Sequence, residues 1–205
     1  MVERARLLAG NGYAVLLIDL PAHGESSGDR ITFGLREAEG VKAALAYLRR
    51  ELPGEPIGVV AVSLGAASFV LSKAEPPPNA VVLESMYPTI AAAVTDRLTR
   101  RLGNAGKILA PVLLWQLPLR LGISADDLRP IEAIASVKAP VLVASGTKDE
   151  HTTLAESRRL FEAAREPKEF WPVEGAAHVD LYAYSPKTYE SRVLPFLAKH
   201  LAHGA

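Results

Sequence analysis

Two periodicities of apolar residues alternate along the chain. Short and nearly continuous apolar runs predict strands that are buried on both faces, at Tyr13 to Asp19, Ile57 to Val62, Ala80 to Glu84, Pro140 to Ser145 and Lys168 to Val173. Other stretches carry apolar residues at helical spacing and predict helices at Val2 to Ala9, Leu35 to Leu52, Leu64 to Ala74, Thr89 to Leu102, Thr153 to Ala164 and Pro186 to Leu201. Strands that alternate with helices form βαβ units, so the pattern predicts an α/β fold with a mostly parallel central sheet flanked by helices.

One region departs from this alternation. Residues 86–139 contain no strand-like run, and their apolar segment Ile108 to Leu121 is interrupted by Pro111 and Pro118. This segment is either a long connection packed on the sheet or a lid over a pocket, because long insertions in compact domains are commonly binding loops. We expect a single domain over residues 1–205, in which residues 86–139 form a small helical lid or cap insertion.

Composition narrows the class of protein. The 23 Lys and Arg residues balance the 23 Asp and Glu residues, and this zero net charge disfavours both a nucleic-acid partner and polybasic attachment to anionic lipid. No apolar run approaches the length of a membrane span, cysteine is absent, and the first eight residues lack the apolar core of a signal peptide. We expect a cytoplasmic protein by default, without a membrane span, and the oligomeric state stays open.

A serine stands where a predicted strand ends and a predicted helix begins. Ser63 lies between the strand that ends at Val62 and the helix that begins at Leu64. A sharp turn at this place lifts a serine clear of the sheet, and the helix N-terminus behind it supplies N–H groups and a positive dipole end. A serine at such a junction is usually only a helix cap, so its interpretation as a nucleophile depends on partners elsewhere in the chain.

Two candidate partners follow in chain order, each just beyond a predicted strand. Asp149 follows the strand from Pro140, at the carboxyl end where open α/β sheets place their working residues, and His178 lies on a loop after the last strand. Glu150 is a competing acid, and Glu84 at the end of another strand is the fallback. Three consecutive residues rarely converge on one ion, so we do not interpret the neighbouring acids and His151 as a metal site.

These segments together resemble the α/β-hydrolases of the serine aminopeptidase, lysophospholipase and carboxylesterase-like group. Ala61 to Gly65 is similar to the nucleophile elbow G-x-S-x-G, and Asp19 to Gly28 is similar to a D-x-x-G-H-G-x-S loop, with alanine in place of the first glycine in both. The resemblance covers essentially the whole chain and implies a small-molecule acyl substrate, with no metal or cofactor. It implies that Ser63 attacks the carbonyl carbon of an ester or related acyl bond. His178 then acts as general base and acid, Asp149 orients its imidazole, and the Leu64 backbone N–H is one oxyanion donor.

The resemblance also predicts a gap. In that family one or more strands, and the loop with the other oxyanion donor, precede the helix that here begins at Val2. The absent third strand lies between the predicted strands at 13–19 and 57–62. We therefore expect an N-terminally incomplete α/β-hydrolase. In the family the oxyanion loop follows the third strand, whereas His23 follows the strand that corresponds to the fourth. We therefore expect the His23 imidazole to hold its own loop rather than to take part in the chemistry. The alternatives are a non-catalytic binding module of the same fold and a truncated, inactive form.

Overall fold

The computed structural model of the protein describes residues 1–202 and has a four-stranded parallel sheet at its centre. The strands lie in the spatial order β1 (Gly58–Val62), β2 (Ala80–Glu84), β3 (Val141–Gly146) and β4 (Lys168–Val173). All three strand pairs are parallel, with Val62 opposite Glu84 and Gly146 opposite Val173. The expected α/β fold with a parallel central sheet flanked by helices is confirmed.

Helices cover both faces of this sheet. Within residues 1–202 they are α1 (Val2–Gly10), α2 (Glu37–Glu51), α3 (Leu64–Ser72), α4 (Ile90–Leu102), α5 (Asn104–Trp115), α6 (Leu117–Leu121), α7 (Pro130–Ala133), α8 (Leu154–Ala163), α9 (Leu181–Tyr184) and α10 (Pro186–Leu201). Successive strand residues point to opposite faces, which divides the buried apolar residues into two cores. Val81 and Leu83 of β2 belong to the core beneath α2, α3 and α8, whereas Val82 packs against α9 and α10.

The strand expected from Tyr13 to Asp19 is not formed, so this prediction is wrong. The segment has no regular structure, and the side chains from Val15 to Ile18 are exposed. A strand exists through hydrogen bonds to a neighbouring strand. Within residues 1–202, β1 is an edge strand that pairs only with β2, and no strand lies between β1 and this segment. The apolar run therefore has the composition of a strand but no ladder to join.

The connection between β2 and β3 is helical, as expected for residues 86–139, and consists of α4 to α7 with two short 3₁₀ turns at Ala125–Asp127 and Ile134–Ser136. Helices α4 and α5 pack very closely, because a Cβ atom on Gly106 of α5 would lie 2.3 Å from the carbonyl carbon of Leu98. The division of the chain into one domain with a cap insertion stays a prediction.

No single helix of residues 1–202 has both the length and the apolar content of a membrane span. Asn104–Leu121 and Ala125–Ser136 reach these values only when taken together, and the two segments are bent by 91°.

Candidate active site

Ser63 occupies a strained turn between β1 and α3. Its backbone φ of 50° and ψ of −111° lie in a region that residues other than glycine rarely adopt. The Ser63 N–H donates to the Glu84 carbonyl oxygen at 2.8 Å, and the Ser63 carbonyl oxygen accepts from the Ala67 N–H at 3.1 Å. These bonds anchor the turn to β2 and to α3. The Ser63 side chain makes no capping hydrogen bond to α3, so the cap interpretation does not account for it.

Helix α3 begins directly after the serine. Its first N–H group belongs to Leu64, and the first N–H groups of a helix have no acceptor within the helix. This group and the positive end of the helix dipole are therefore adjacent to the Ser63 hydroxyl. A Cβ atom on Gly65 would meet nothing within 4 Å, so the space around this glycine does not require it to be small. That requirement falls on Ala66, which is completely buried.

Asp149 lies three residues beyond β3, and its buried carboxylate accepts four hydrogen bonds. Oδ1 accepts from the backbone N–H groups of His151 at 2.8 Å and Thr152 at 2.9 Å. Oδ2 accepts from Thr152 Oγ1 and from His178 Nδ1, each at 2.8 Å. Burial alone raises the pKa of Asp149, but the hydrogen bonds from His178, Thr152 and His151 outweigh it and lower the pKa below its usual value. The group is therefore a carboxylate at neutral pH.

His178 lies on the loop after β4, with its side chain one-quarter exposed. A carboxylate can only accept hydrogen bonds, so Nδ1 of His178 carries a proton and donates it to Asp149. In the neutral ring this leaves Nε2 as the basic nitrogen. Among residues 1–202 no hydrogen bond joins the His178 ring to the Ser63 hydroxyl, and such bonds are often long before substrate binds.

Gly146, the last residue of β3, permits the loop of His178 to lie against the sheet. A Cβ atom at this position would lie 2.2 Å from the Ala176 carbonyl oxygen. The same oxygen accepts from the Lys148 N–H at 2.8 Å, which joins the two loops that carry Asp149 and His178. Sequence analysis missed Gly146, although a glycine that ends a strand shortly before the candidate acid was the available signal.

A second histidine packs against His178. The rings of His151 and His178 meet edge to face with their centroids 5.2 Å apart. Arg100 Nη1 lies 2.5 Å from His151 Nε2, which must therefore accept the hydrogen bond. Burial, His178 and Arg100 lower the pKa of His151, so its ring is neutral beside His178. The competing acid Glu150 is exposed and forms an ion pair with Arg100 at 3.0 Å.

Glu84, the fallback acid, belongs to a different cluster. Its carboxylate is fully buried and is bound by Arg4, with Nη2 to Oε2 at 2.6 Å and Nε to Oε1 at 3.2 Å. Tyr189 Oη donates to Glu84 Oε1 at 2.6 Å, and Arg4 Nη1 also contacts Asp180 Oδ2 at 2.5 Å. The Glu84 charge is therefore compensated by α1 and α10 rather than directed at His178, so the fallback prediction is wrong.

The loop from Asp19 to Gly28 is held by its own side chains. His23 Nδ1 lies 2.9 Å from the Pro21 carbonyl oxygen, and Ser26 Oγ donates to the Asp19 carbonyl oxygen at 2.7 Å. His23 thus binds its own loop, as the sequence analysis expects.

The three candidate residues lie at the carboxyl edge of the sheet, where the strands end. Ser63, Asp149 and His178 follow the carboxyl ends of the parallel strands β1, β3 and β4. This placement defines an α/β protein with its candidate site at the carboxyl edge of the sheet. The chain belongs to the alpha/beta hydrolase family, whose model matches residues 3–191.

Curated relatives extend beyond this chain. An uncharacterized protein of Mycobacterium tuberculosis strain H37Rv is 35% identical over 194 residues, which cover 94% of this chain and 60% of the relative. The uncharacterized protein YqkD of Bacillus subtilis is 24% identical over 194 residues, 91% of this chain and 62% of the relative. The chain therefore spans about three-fifths of the length of these relatives.

Solved structures share the fold. An esterase of Pyrococcus furiosus, Pf2001, matches with a TM-score of 0.78 and 22% identity, covering 98% of this chain and 77% of the esterase. A monoacylglycerol lipase of Paleococcus ferrophilus matches with a TM-score of 0.67 and 25% identity, covering 97% of this chain and 88% of the lipase.

Proposed function

We propose that the protein is a serine hydrolase that cleaves an ester or related acyl bond through an acyl-enzyme intermediate. The observation that carries this proposal is the 2.8 Å hydrogen bond from His178 Nδ1 to the buried Asp149 carboxylate, on the sheet edge that also carries Ser63. The strained, uncapped Ser63 at the N-terminus of α3 supports it further. The esterase and lipase of similar fold favour carboxylic esters as the substrate class.

In this mechanism Ser63 Oγ attacks the carbonyl carbon of the ester while His178 Nε2 takes the hydroxyl proton. The Leu64 N–H stabilises the resulting oxyanion, and the ionised Asp149 stabilises the imidazolium. The leaving alcohol takes the proton from Nε2 as the acyl-enzyme forms. A water molecule, deprotonated by Nε2, then attacks the acyl carbon. Nε2 returns this proton to Ser63 Oγ as the acid is released. No metal or cofactor takes part in these steps.

The Leu64 N–H is the one oxyanion donor that the proposal identifies on this chain. Loss of an oxyanion donor typically lowers kcat by about 10² to 10³. We therefore expect the chain to form the acyl-enzyme but to turn over slowly.

The test is intact-mass labelling of the 205-residue chain with a fluorophosphonate, which transfers its phosphonyl group to an activated serine and releases fluoride. The wild type should gain one adduct and Ser63→Ala none. Asp149→Asn should react more slowly, on the order of 10⁴-fold, because an aspartate at this position selects the His178 tautomer with its basic nitrogen free. Glu150→Gln is the matched control and should react like the wild type.

Circular dichroism of each variant identifies any loss of folding. A folded wild type that gains no adduct contradicts the hydrolase proposal and favours the alternative of a non-catalytic binding module. An adduct that persists in Ser63→Ala contradicts the assignment of Ser63.

A further inference from the structure

The helices α5 and α6 present large apolar side chains to solvent. Ile108 is 75% exposed, Val112 55%, Trp115 69% and Leu119 72%. Their spacing of four, three and four residues places them on one face of a helix. Gln116, between the two helices, has helical backbone angles of −78° and −16°, so this face continues from α5 into α6. We call these four residues the apolar stripe.

The inward face of α5 carries two small residues and the half-buried Leu114. Gly106 and Ala110 are buried, and Gly106 approaches the backbone of α4. A helix on the surface of a globular protein ordinarily turns its large apolar residues inward, whereas α5 turns Ile108, Val112 and Trp115 outward.

Both sequence interpretations, a connection packed on the sheet and a lid over a pocket, require the apolar residues to be covered. Leu114, Leu117 and Leu121 do pack against the core, whereas the four residues of the apolar stripe are exposed. Large contiguous apolar surfaces mark interaction sites.

The segment of the chain that carries the apolar stripe has charges of one sign. The sequence from Arg97 to Ala125 contains no acidic residue, although the whole chain has zero net charge. Lys107 and Arg120 are exposed and have no ion-pair partner in the part of the chain that the structure describes. At about 100° per residue they lie on either side of the apolar stripe on a helical projection. The balanced total therefore conceals a basic surface.

We propose that the apolar stripe docks the protein onto the surface of a bilayer that contains anionic lipid, with α5 and α6 lying in the plane of the interface. A helix with Trp and aliphatic residues on one face and Lys and Arg beside them binds such a surface through apolar burial and charge attraction. Trp115 supplies the aromatic ring that is enriched at membrane interfaces. This proposal does not depend on Ser63 and therefore stands or fails separately from the proposed hydrolase activity.

A second copy of the chain is the competing occupant of the apolar stripe. In a two-fold dimer the same surface meets itself, so residues near the axis face their own copies. Lys107 and Arg120 would then approach like charges, with no acidic residue between Arg97 and Ala125 to compensate them. Charge complementarity favours an anionic lipid surface.

The two tryptophans provide a built-in probe. Trp115 is exposed on the apolar stripe, whereas Trp171 is buried beneath α10, so a change in fluorescence on binding reports on Trp115. The full chain, carrying Ser63→Ala to prevent turnover, is titrated with vesicles of phosphatidylcholine and phosphatidylglycerol at about 3:1. We expect a blue shift and protection from acrylamide quenching. Vesicles of phosphatidylcholine alone should give at least tenfold weaker binding, because the charge attraction is absent.

Variants separate the contributions of apolar burial and of charge attraction to vesicle binding. Ile108→Ser/Val112→Ser should abolish binding, and Lys107→Gln/Arg120→Gln should weaken it about 25-fold, or fivefold for each charge. The matched control Leu52→Ser/Arg165→Gln alters an exposed apolar residue and an exposed charge outside residues 86–139 and should bind like the wild type.

Absence of binding overturns the proposal, as does equal binding to both kinds of vesicle. Unchanged binding by the Ile108→Ser/Val112→Ser variant also overturns it. Light scattering tests whether a second copy of the chain covers the apolar stripe. A wild-type dimer that becomes a monomer in that variant would assign the apolar stripe to a second copy instead.

Discussion

Gly146 sets how closely the loop of His178 approaches the acid with which it pairs. Any side chain at this position meets the backbone of Ala176 rather than a flexible side chain, so the loop itself must move. Displacements of about 1 Å are sufficient to lower enzymatic rates by about 10². The geometry of the candidate site therefore depends on a residue that has no reactive group.

We predict that Gly146→Ala slows fluorophosphonate labelling of Ser63 by about 10² because it displaces the loop that carries His178. Gly10→Ala is the control, since a Cβ atom on Gly10 would meet nothing within 4 Å. The measurement is the labelling rate of both variants beside the wild type. A Gly146→Ala protein that labels at the wild-type rate would mean that the loop accommodates the methyl group without moving His178.

The sequence was sufficient to nominate Ser63, Asp149 and His178, because each follows a strand end and parallel strands bring their carboxyl ends to one edge. Their catalytic roles stay predictions. The contact between His151 and His178 could not be foreseen, since it depends on the conformations of two loops separated by 27 positions. Nor could the sequence exclude Glu84, which also follows a strand end, because Arg4 lies 80 positions away.

At the scale of elements, α1 is attached to the sheet by a buried charge. We predict that Arg4→Met lowers the free energy of unfolding by about 3 to 5 kcal/mol, because it leaves the Glu84 carboxylate buried without its cation. Arg4→Met/Glu84→Gln should recover most of this loss. Urea denaturation measures both effects.

Arg6→Ala is the control for this series, because the ion pair of Arg6 with Glu3 is exposed and should contribute less than about 1 kcal/mol. A double variant as unstable as Arg4→Met would contradict the interpretation that an unpaired buried charge causes the loss.

Helices α4 and α8 each contribute one acidic side chain, Asp96 and Glu156, and the two influence each other. Burial and the neighbouring Glu156 raise the pKa of Asp96 to about 7, against the opposing effect of Arg97. The folded chain therefore holds the Asp96 proton more tightly than the unfolded chain does. The stability that this proton contributes is complete below the unfolded pKa of 3.8 and is lost as the pH rises through about 7.

We predict that Asp96→Asn raises the urea midpoint relative to the wild type at about pH 8, with a smaller difference at about pH 5. The amide cannot ionise, so the variant avoids the cost of a buried negative charge beside Glu156. Asp126→Asn removes an exposed carboxylate and is the control. An equal difference between Asp96→Asn and the wild type at both pH values would show that Asp96 does not titrate in this range.

The helices and strands were predictable where the spacing of apolar residues was compatible with only one type of element. Four strands and six helices lie where apolar spacing placed them, with ends shifted by at most two residues. The segment from Tyr13 to Asp19 failed because a strand needs a partner that its own sequence does not contain. The exposure of Ile108 and Trp115 was equally hidden, since apolar composition alone implies burial.

At the scale of the whole molecule, the described sheet ends in two edge strands, β1 and β4. Strand β3 has neighbours on both sides, whereas β1 pairs only with β2 within residues 1–202. In a parallel sheet the N–H groups of an edge strand that point outward have no acceptor in the ladder. The candidate nucleophile thus follows an edge strand of the sheet.

We predict that amide hydrogen exchange is at least tenfold faster in Gly58–Val62 than in Val141–Gly146, because the edge strand opens at a lower free energy. Mass spectrometry of peptic fragments from the 205-residue chain measures this difference. Equal protection of the two strands would mean that another segment or a second copy covers the outer edge of β1.

The contacts of Arg4 with Glu84, Asp180 and Tyr189 also affect the order in which the chain can fold during translation. Glu84 is translated 80 positions after Arg4, and Asp180 and Tyr189 follow Arg4 by 176 and 185 positions. At about 5 to 20 residues per second, the helix that carries Arg4 waits on the order of 10 to 40 seconds for its last partners. We therefore expect α1 to dock only after Tyr189 has been translated, so that nascent chains remain open to proteases and chaperones until that point.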